Sequence, residues 1–273
     1  MSTRMRDLLA QARGELRYEP TERRVRAHAG AATVVDSRRA ILVWEPRRIV
    51  PSFAVPPQDI RAEVAAAPAI DGEPPAVLHP GVPFGVHTAA GEPVSIDGRA
   101  GAGFRLADEE LAGYVVLDFK AFDDWYEEDE RIFGHPRDPF HRVDSRLSGR
   151  PVRIEVGGDV VAETTRARLL SETSLPLRFY VPREDVRLEL HPSERHSYCP
   201  YKGQASYWSV DVGGRRREQL AWSYEQPLPD MPAIAGMLAF WDDRVDTYVD
   251  GELRGRPGGA ISKALRDEFA PAR

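Results

Sequence analysis

The chain has one cysteine, Cys199, in 273 residues. That excludes an intramolecular disulfide framework and any zinc site built from four thiolates of one chain, and it fits a reducing, cytoplasmic setting. Lysine is nearly as scarce, with only Lys120, Lys202 and Lys263 among 37 basic residues. Arginine is the default cation, so a lysine set among reactive side chains stands out. No stretch approaches the roughly twenty apolar residues that cross a bilayer, and no membrane span is expected. The opening residues, MSTRMRDLLAQARGEL, lack the apolar core of a secretory signal. A net charge of -6 gives no electrostatic reason to expect nucleic acid as a partner. What remains is a soluble globular composition, 42% hydrophobic and 29% charged, long enough for one large or two ordinary domains.

Met5, Leu8, Leu9 and Ala12 follow helical spacing, which predicts a short amphipathic helix over Arg4–Leu16. From Arg24 onward the pattern changes to short apolar runs broken by glycine and proline. Val25–Ala29, Thr33–Asp36 and Ala40–Trp44 read as strands, with Gly30 in the first turn. Ala205–Val212 alternates in polarity, Gly213-Gly214 supplies a turn, and Leu220, Trp222 and Tyr224 alternate on the way back. That is an antiparallel hairpin, with Trp208 and Trp222 expected on one buried face. Ile234–Trp241 reads as a buried strand and Ala260–Phe269 as a closing helix. The acidic run Asp123–Glu130 reads as a solvated helix face.

The two halves repeat one another. Val25–Glu45 lies over Val152–Glu172 at constant offset, Gly30 falling on Gly157. After one deletion, Phe53–Val64 lies over Phe179–Leu190, with Pro56 on Pro182 and Asp59 on Asp185. A third match is read between His141–Asp144 and Asp243–Asp246. The period is domain-sized rather than that of a solenoid. The organisation read from this is an N-terminal helix over 1–20, a first β domain over 21–146, a second over 147–255 and a helix with tail over 256–273. The first copy carries an Ala- and Pro-rich insertion, Ala65–Val77, read as a surface loop.

Only the second copy has the segment Leu190–Val212. It gathers Cys199, His191, His196, Lys202, Tyr198, Tyr201, Tyr207 and Trp208. The first copy has VPFGVHTAAGEP where this segment would fall, and a structural role is read for it.

SERHSYCPYKGQASYWSV, AWSYEQPLPDMPAIAGMLAFWDDRVD and the upstream FYVPREDVRLEL closely resemble the domain of unknown function 427 family. With WYEEDERIFGHPRDPFHRVD in the first copy, the chain is similar to that family's tandem form, common in actinobacteria. The resemblance spans about Arg23 to Gly251. It implies a mainly β fold of two tandem Mss4-like (β-tent) antiparallel domains with short flanking helices and a ligand-sized groove between small sheets. The paired Cys-x-x-Cys zinc ligands of that fold's relatives are missing here. No Gly-Ser loop with spaced metal-binding aspartates supports nucleotidyl transfer.

Cys199 beside Lys202 and His196 has the make-up of a nucleophile with a lowered pKa; the favoured alternative is a small buried hydrophobe. Lys202 reads as an anion or ligand contact, a Schiff-base lysine if desolvated, or a solvated turn residue. Tyr198, Tyr201, Tyr207 and Tyr224, with His196 and Arg183, are the candidate pocket lining. Gly203 is read as holding a backbone conformation closed to other residues. His135, Asp138, His141 and Asp144 have metal-ligand side chains, but their prolines favour a connector, and neither a metal nor a cofactor is expected. Three readings follow. The leading one is a cytosolic binding module for a small polar or anionic ligand; the others are an enzyme acting through Cys199 or Lys202, and an interaction scaffold. No feature of the sequence fixes an oligomeric state.

Overall fold

The computed structural model describes residues 2–70 and 72–269; Asp71 in the insertion and residues 270–273 of the expected tail lie outside them. Chain contacts divide the molecule into two compact units, 1–138 and 139–273. The fold is mainly β, every ladder is antiparallel, and the two α-helices are short.

In the first unit α1 (Met5–Ala12) precedes β1 (Arg17–Pro20), β2 (Val25–Ala29), β3 (Ala32–Ser37), β4 (Ile41–Trp44), β5 (Ser52–Val55), β6 (Val64–Ala66), β7 (Gly91–Ile96), β8 (Arg99–Leu106), β9 (Val115–Leu117), β10 (Asp124–Glu127) and β11 (Glu130–Ile132). One sheet has the order β1-β4-β5-β9-β8-β7-β6 and the other β11-β10-β2-β3. The second unit contains β12 (Val143–Ser148), β13 (Val152–Val156), β14 (Asp159–Thr164), β15 (Ala167–Glu172), β16 (Arg178–Tyr180), β17 (Leu190–Cys199), β18 (Gly203–Val212), β19 (Arg215–Ser223), β20 (Leu238–Phe240), β21 (Asp246–Val249), β22 (Glu252–Leu253) and α2 (Ala260–Phe269). Its sheets are β12-β15-β16, β17-β18-β19-β20 and β14-β13-β21-β22. Just beyond β16, Val181 and Leu238 exchange two backbone hydrogen bonds of 2.8 Å, which joins the first two pieces. The joined order, β12-β15-β16-β20-β19-β18-β17, repeats that of the first unit strand for strand.

Finer details repeat as well. Each unit has a register shift at one place in its first hairpin, after Ala27 and after Ile154. Gly30 (φ 55°) and Gly157 (φ 61°) occupy the turns, a left-handed conformation that costs glycine little. Ser37 donates to Asp59 at 2.6 Å and Thr164 to Asp185 at 2.5 Å; Arg39 and Arg166 close the same latches.

Each unit buries an aliphatic core between its two sheets. In the first, Val25, Ala27 and Val35 meet Leu42, Phe53 and Val94; in the second, Val152, Ile154 and Ala162 meet Phe179, Val210 and Leu238. The opposite face of the long sheet carries a second cluster, and here the units diverge. Strand pairing places Ala54, Pro93, Phe104 and Leu106 where the second unit has Tyr180, Tyr207, Trp222 and Tyr224.

Several expectations need correction. The N-terminal helix stops at Ala12 and leaves Met5, Leu8 and Leu9 exposed. Asp123–Glu130 forms the β10–β11 hairpin rather than a helix, because Trp125 is buried and Glu128 takes a positive φ at the turn. The third repeat match fails: β21 starting at Asp246 corresponds to β10 starting at Asp124, while Val143-Asp144 opens β12, the counterpart of β1. Trp208 and Trp222 lie on opposite faces, since Trp222 pairs directly with Tyr207 and Trp208 with Ala221. Pro232 puts Ile234 in a 3₁₀ turn, so the strand expected over Ile234–Trp241 shortens to Leu238–Phe240. Gly213 (φ 56°) and Gly214 (φ 72°) form the expected two-residue turn.

Candidate functional site

Strand β15 ends in Glu172, which places a carboxylate at the margin of the aromatic face. Lys202, in the turn between β17 and β18, reaches back to it, with Nζ 2.5 Å from Oε2. Both side chains are nearly out of solvent, at 10% exposure for Lys202 and 8% for Glu172. The other carboxylate oxygen lies 3.1 Å from His141 Nε2. The His141 ring stacks on Tyr201, with centroids 4.6 Å apart. The turn is held by Lys202 N–H donating to Cys199 C=O at 3.2 Å and Leu228 N–H donating to Lys202 C=O at 3.1 Å. Gly203 takes φ 99°, which favours glycine, and a Cβ there would crowd the Gln226 carbonyl oxygen at 3.3 Å.

The electrostatics follow from burial and pairing. Burial alone would raise the Glu172 carboxyl, yet Lys202 and His141 hold it down to about 2. Burial opposes the Lys202 ammonium, but Glu172 outweighs it and its pKa stands well above the ordinary value. Burial raises Tyr180 and carries Tyr224 far above the usual phenol range, Lys202 being the opposing influence on both. Burial likewise pushes the Cys199 thiol up against the pull of Lys202. The lowered thiol that the CPYKG spacing suggested is therefore not what the packing produces. A thiol reagent is expected to modify Cys199 slowly in the native protein and rapidly in denaturant, a difference that a colorimetric thiol assay reads directly.

The remaining candidates divide by face. Tyr207 is buried in the aromatic cluster, with its hydroxyl 2.8 Å from Ser197 Oγ and Arg195 over its ring. Tyr224 is buried in the same cluster, its ring 6.0 Å from Lys202 Nζ. His196 and Tyr198 lie on the exposed side of β17, away from that cluster. Arg183 sits over Trp208, pairs with Glu225 at 2.8 Å, and serves the other face of the sheet. Lys202, Tyr201, Tyr207 and Tyr224 are thus brought together with Cys199 alongside, whereas His196, Tyr198 and Arg183 are not. His141 belongs to this site rather than to a connector, and no group of three metal-ligating side chains occurs among the described residues.

Sequence reasoning missed Glu172 and Tyr180, and it assigned His141 to a connector. A signal for Glu172 was present: the repeat puts an acid after an apolar strand in both copies, Glu45 under Glu172. Glu45 is also buried, with His87 Nδ1 at 3.0 Å, Arg48 Nη2 at 3.4 Å and the Thr88 N–H at 2.9 Å. Burial works against its ionisation, but these partners hold its pKa below the usual range. Each unit therefore contains one buried carboxylate at the same place, countered by different bases.

The protein so defined has two β units of one strand order, the second with an aromatic face around a buried acid–lysine pair. Residues 144–251 match the model of a family described as a domain of unknown function (DUF427). The match takes in Glu172, Tyr180, Cys199, Lys202, Tyr207, Trp222 and Tyr224, and begins just after His141. No curated protein matches the chain. No helix among the described residues is long and apolar enough to cross a membrane.

Proposed function

We propose that the chain is a tandem pair of one β-tent module, and that its second copy is a cytosolic binding module for a small polar molecule. The observation that carries this reading is the substitution pattern on one sheet face. Aliphatic core, latches and turns are shared between the units, whereas Ala54, Pro93, Phe104 and Leu106 give way to Tyr180, Tyr207, Trp222 and Tyr224. A sheet needs apolar cover, but it does not need phenols and an indole grouped around an ion pair; those groups suit recognition of a polar molecule through rings and a few fixed hydrogen bonds.

The ligand need not be an anion, because Glu172 already neutralises Lys202. Binding is favoured over covalent catalysis for a related reason. A protonated lysine and a protonated thiol are weak nucleophiles near neutral pH, and Glu172 is too acidic to donate a proton. The reachable edge of the group is the Tyr201–His141 stack. Native mass spectrometry of purified protein, with a titration of neutral polar fragments followed by chemical shifts, tests this. Saturable shifts confined to the second unit, lost in Tyr201→Ala with its fold intact, are the expected result. Fragments that bind equally well to Tyr201→Ala, or shift nothing in the second unit, would sink the reading.

A further inference from the structure

The first unit carries a second feature that its counterpart lacks. Arg24, Arg38, Arg39 and Arg61 surround a shallow concavity with Asp36 and Asp59. The acids form its floor: Asp36 and Asp59 are 10% and 16% exposed, while Arg39 and Arg61 are 59% and 58% exposed. Arg24 chelates Asp36 through two bonds of 2.7 and 2.8 Å, and Arg61 reaches the same carboxylate at 2.5 Å. Arg39 binds Asp59 at 2.7 Å. Arg38 is exposed at the turn after β3 and makes no ion pair among the described residues. What faces solvent is a rim of guanidinium groups.

The second unit shows which of these groups the fold requires. Arg166 on Asp185 repeats Arg39 on Asp59, and Arg187 on Glu163 repeats Arg61 on Asp36. The positions of Arg24 and Arg38 are held there by Pro151 and Thr165. The latch thus folds without them, and the first unit adds two cations to an otherwise balanced network. Four guanidinium groups and two carboxylates line the concavity, with Glu128 and Asp129 beside Arg24 on one flank, in a chain whose net charge is -6.

We propose that this concavity is a binding site for a dianionic phosphate group, free or as the monoester of a small metabolite. Arginine forks match phosphate oxygens in geometry, and each paired arginine here keeps N–H donors beyond those its aspartate uses. The exposure of the rim sets the dissociation constant at about 1 mM and makes binding salt-dependent.

Calorimetry or chemical-shift titration of the whole chain, at fixed ionic strength, uses inorganic phosphate, phenyl phosphate and nitrate as probes. Phosphate is expected to saturate one site and nitrate none; tighter binding of phenyl phosphate would mark a monoester, and its exclusion the free ion. Arg38→Thr, which breaks no contact, should weaken phosphate severalfold, and Arg24→Ala with Arg38→Thr by about tenfold or more. Arg166→Ala in the second unit should leave binding unchanged. Phosphate that fails to saturate, that binds Arg38→Thr as well as wild type, or that is weakened equally by Arg166→Ala overturns the proposal.

Discussion

Lys202→Met is expected to destabilise the second unit by about 3–5 kcal/mol, because it strands the buried Glu172 carboxylate with His141 as its remaining side-chain partner. Methionine fills the lysine stem, so packing loss contributes little and the missing charge dominates. In a unit of this size the change lowers the melting temperature by roughly 10–18 degrees. Glu172→Met combined with Lys202→Met should recover most of that loss, since a buried pair replaced on both sides leaves no uncompensated charge. Denaturant titration followed by tryptophan fluorescence reads both variants, as Trp208, Trp222 and Trp241 all report on this unit. A single variant as stable as wild type would mean that Lys202 is solvated, as the sequence allowed, and that the pair does not hold the site together. Such a result would also free the ammonium for an anionic ligand.

How much of this was legible in the chain can be seen residue by residue. Alternation and glycine turns marked β2, β3, β4 and the β18–β19 hairpin, because period two and positive-φ turns are local properties. The repeat paired Gly30 with Gly157 and Asp59 with Asp185, but the hydroxyl and arginine partners that make each aspartate a latch come from the fold. Faces were harder. Trp208 and Trp222 share a polarity pattern, yet cross-strand register set Trp222 against Tyr207, and register depends on a bulge after Trp208 that no local signal marks. The acidic run Asp123–Glu130 reads as a helix face because its charges mask one buried residue, Trp125, of the β10–β11 hairpin. At the site, CPYKG drew attention to Lys202 and Cys199, but the acid that sets the protonation of Lys202, Glu172, ends a strand 30 residues away, and the His141 that shares this acid lies 31 residues further back, just ahead of β12. Spacing along the chain cannot show which acid a buried lysine will meet.

The same pair predicts an acid-side loss of stability with a defined origin. The folded Glu172 carboxyl sits at about 2, against an ordinary value of 4.5. A carboxylate whose pKa is depressed by folding contributes stability that is fully present above its unfolded value and disappears as pH falls through its folded one. The contribution, about 3 kcal/mol at neutral pH, should therefore decline from near pH 4.5 and be gone below about pH 2. Lys202 acts in the opposite sense: its raised pKa gives stability that persists up to its ordinary value of 10.5 and is lost only as pH rises through the folded value. Between those limits the pair contributes a plateau. Glu172→Gln isolates the acid limb, since glutamine mimics the protonated carboxyl and leaves Lys202 equally unpaired. Its stability should lie well below wild type at pH 7 and converge on it near pH 2, so the difference curve, measured by urea unfolding at each pH, follows Glu172 alone; the buried Glu45 of the first unit shifts in the same direction but cancels in the difference. A difference that stays constant from pH 7 down to pH 2 would show that Glu172 gains nothing from its ionisation in the folded state, and the picture of a buried pair fixed in one protonation state would fall with it.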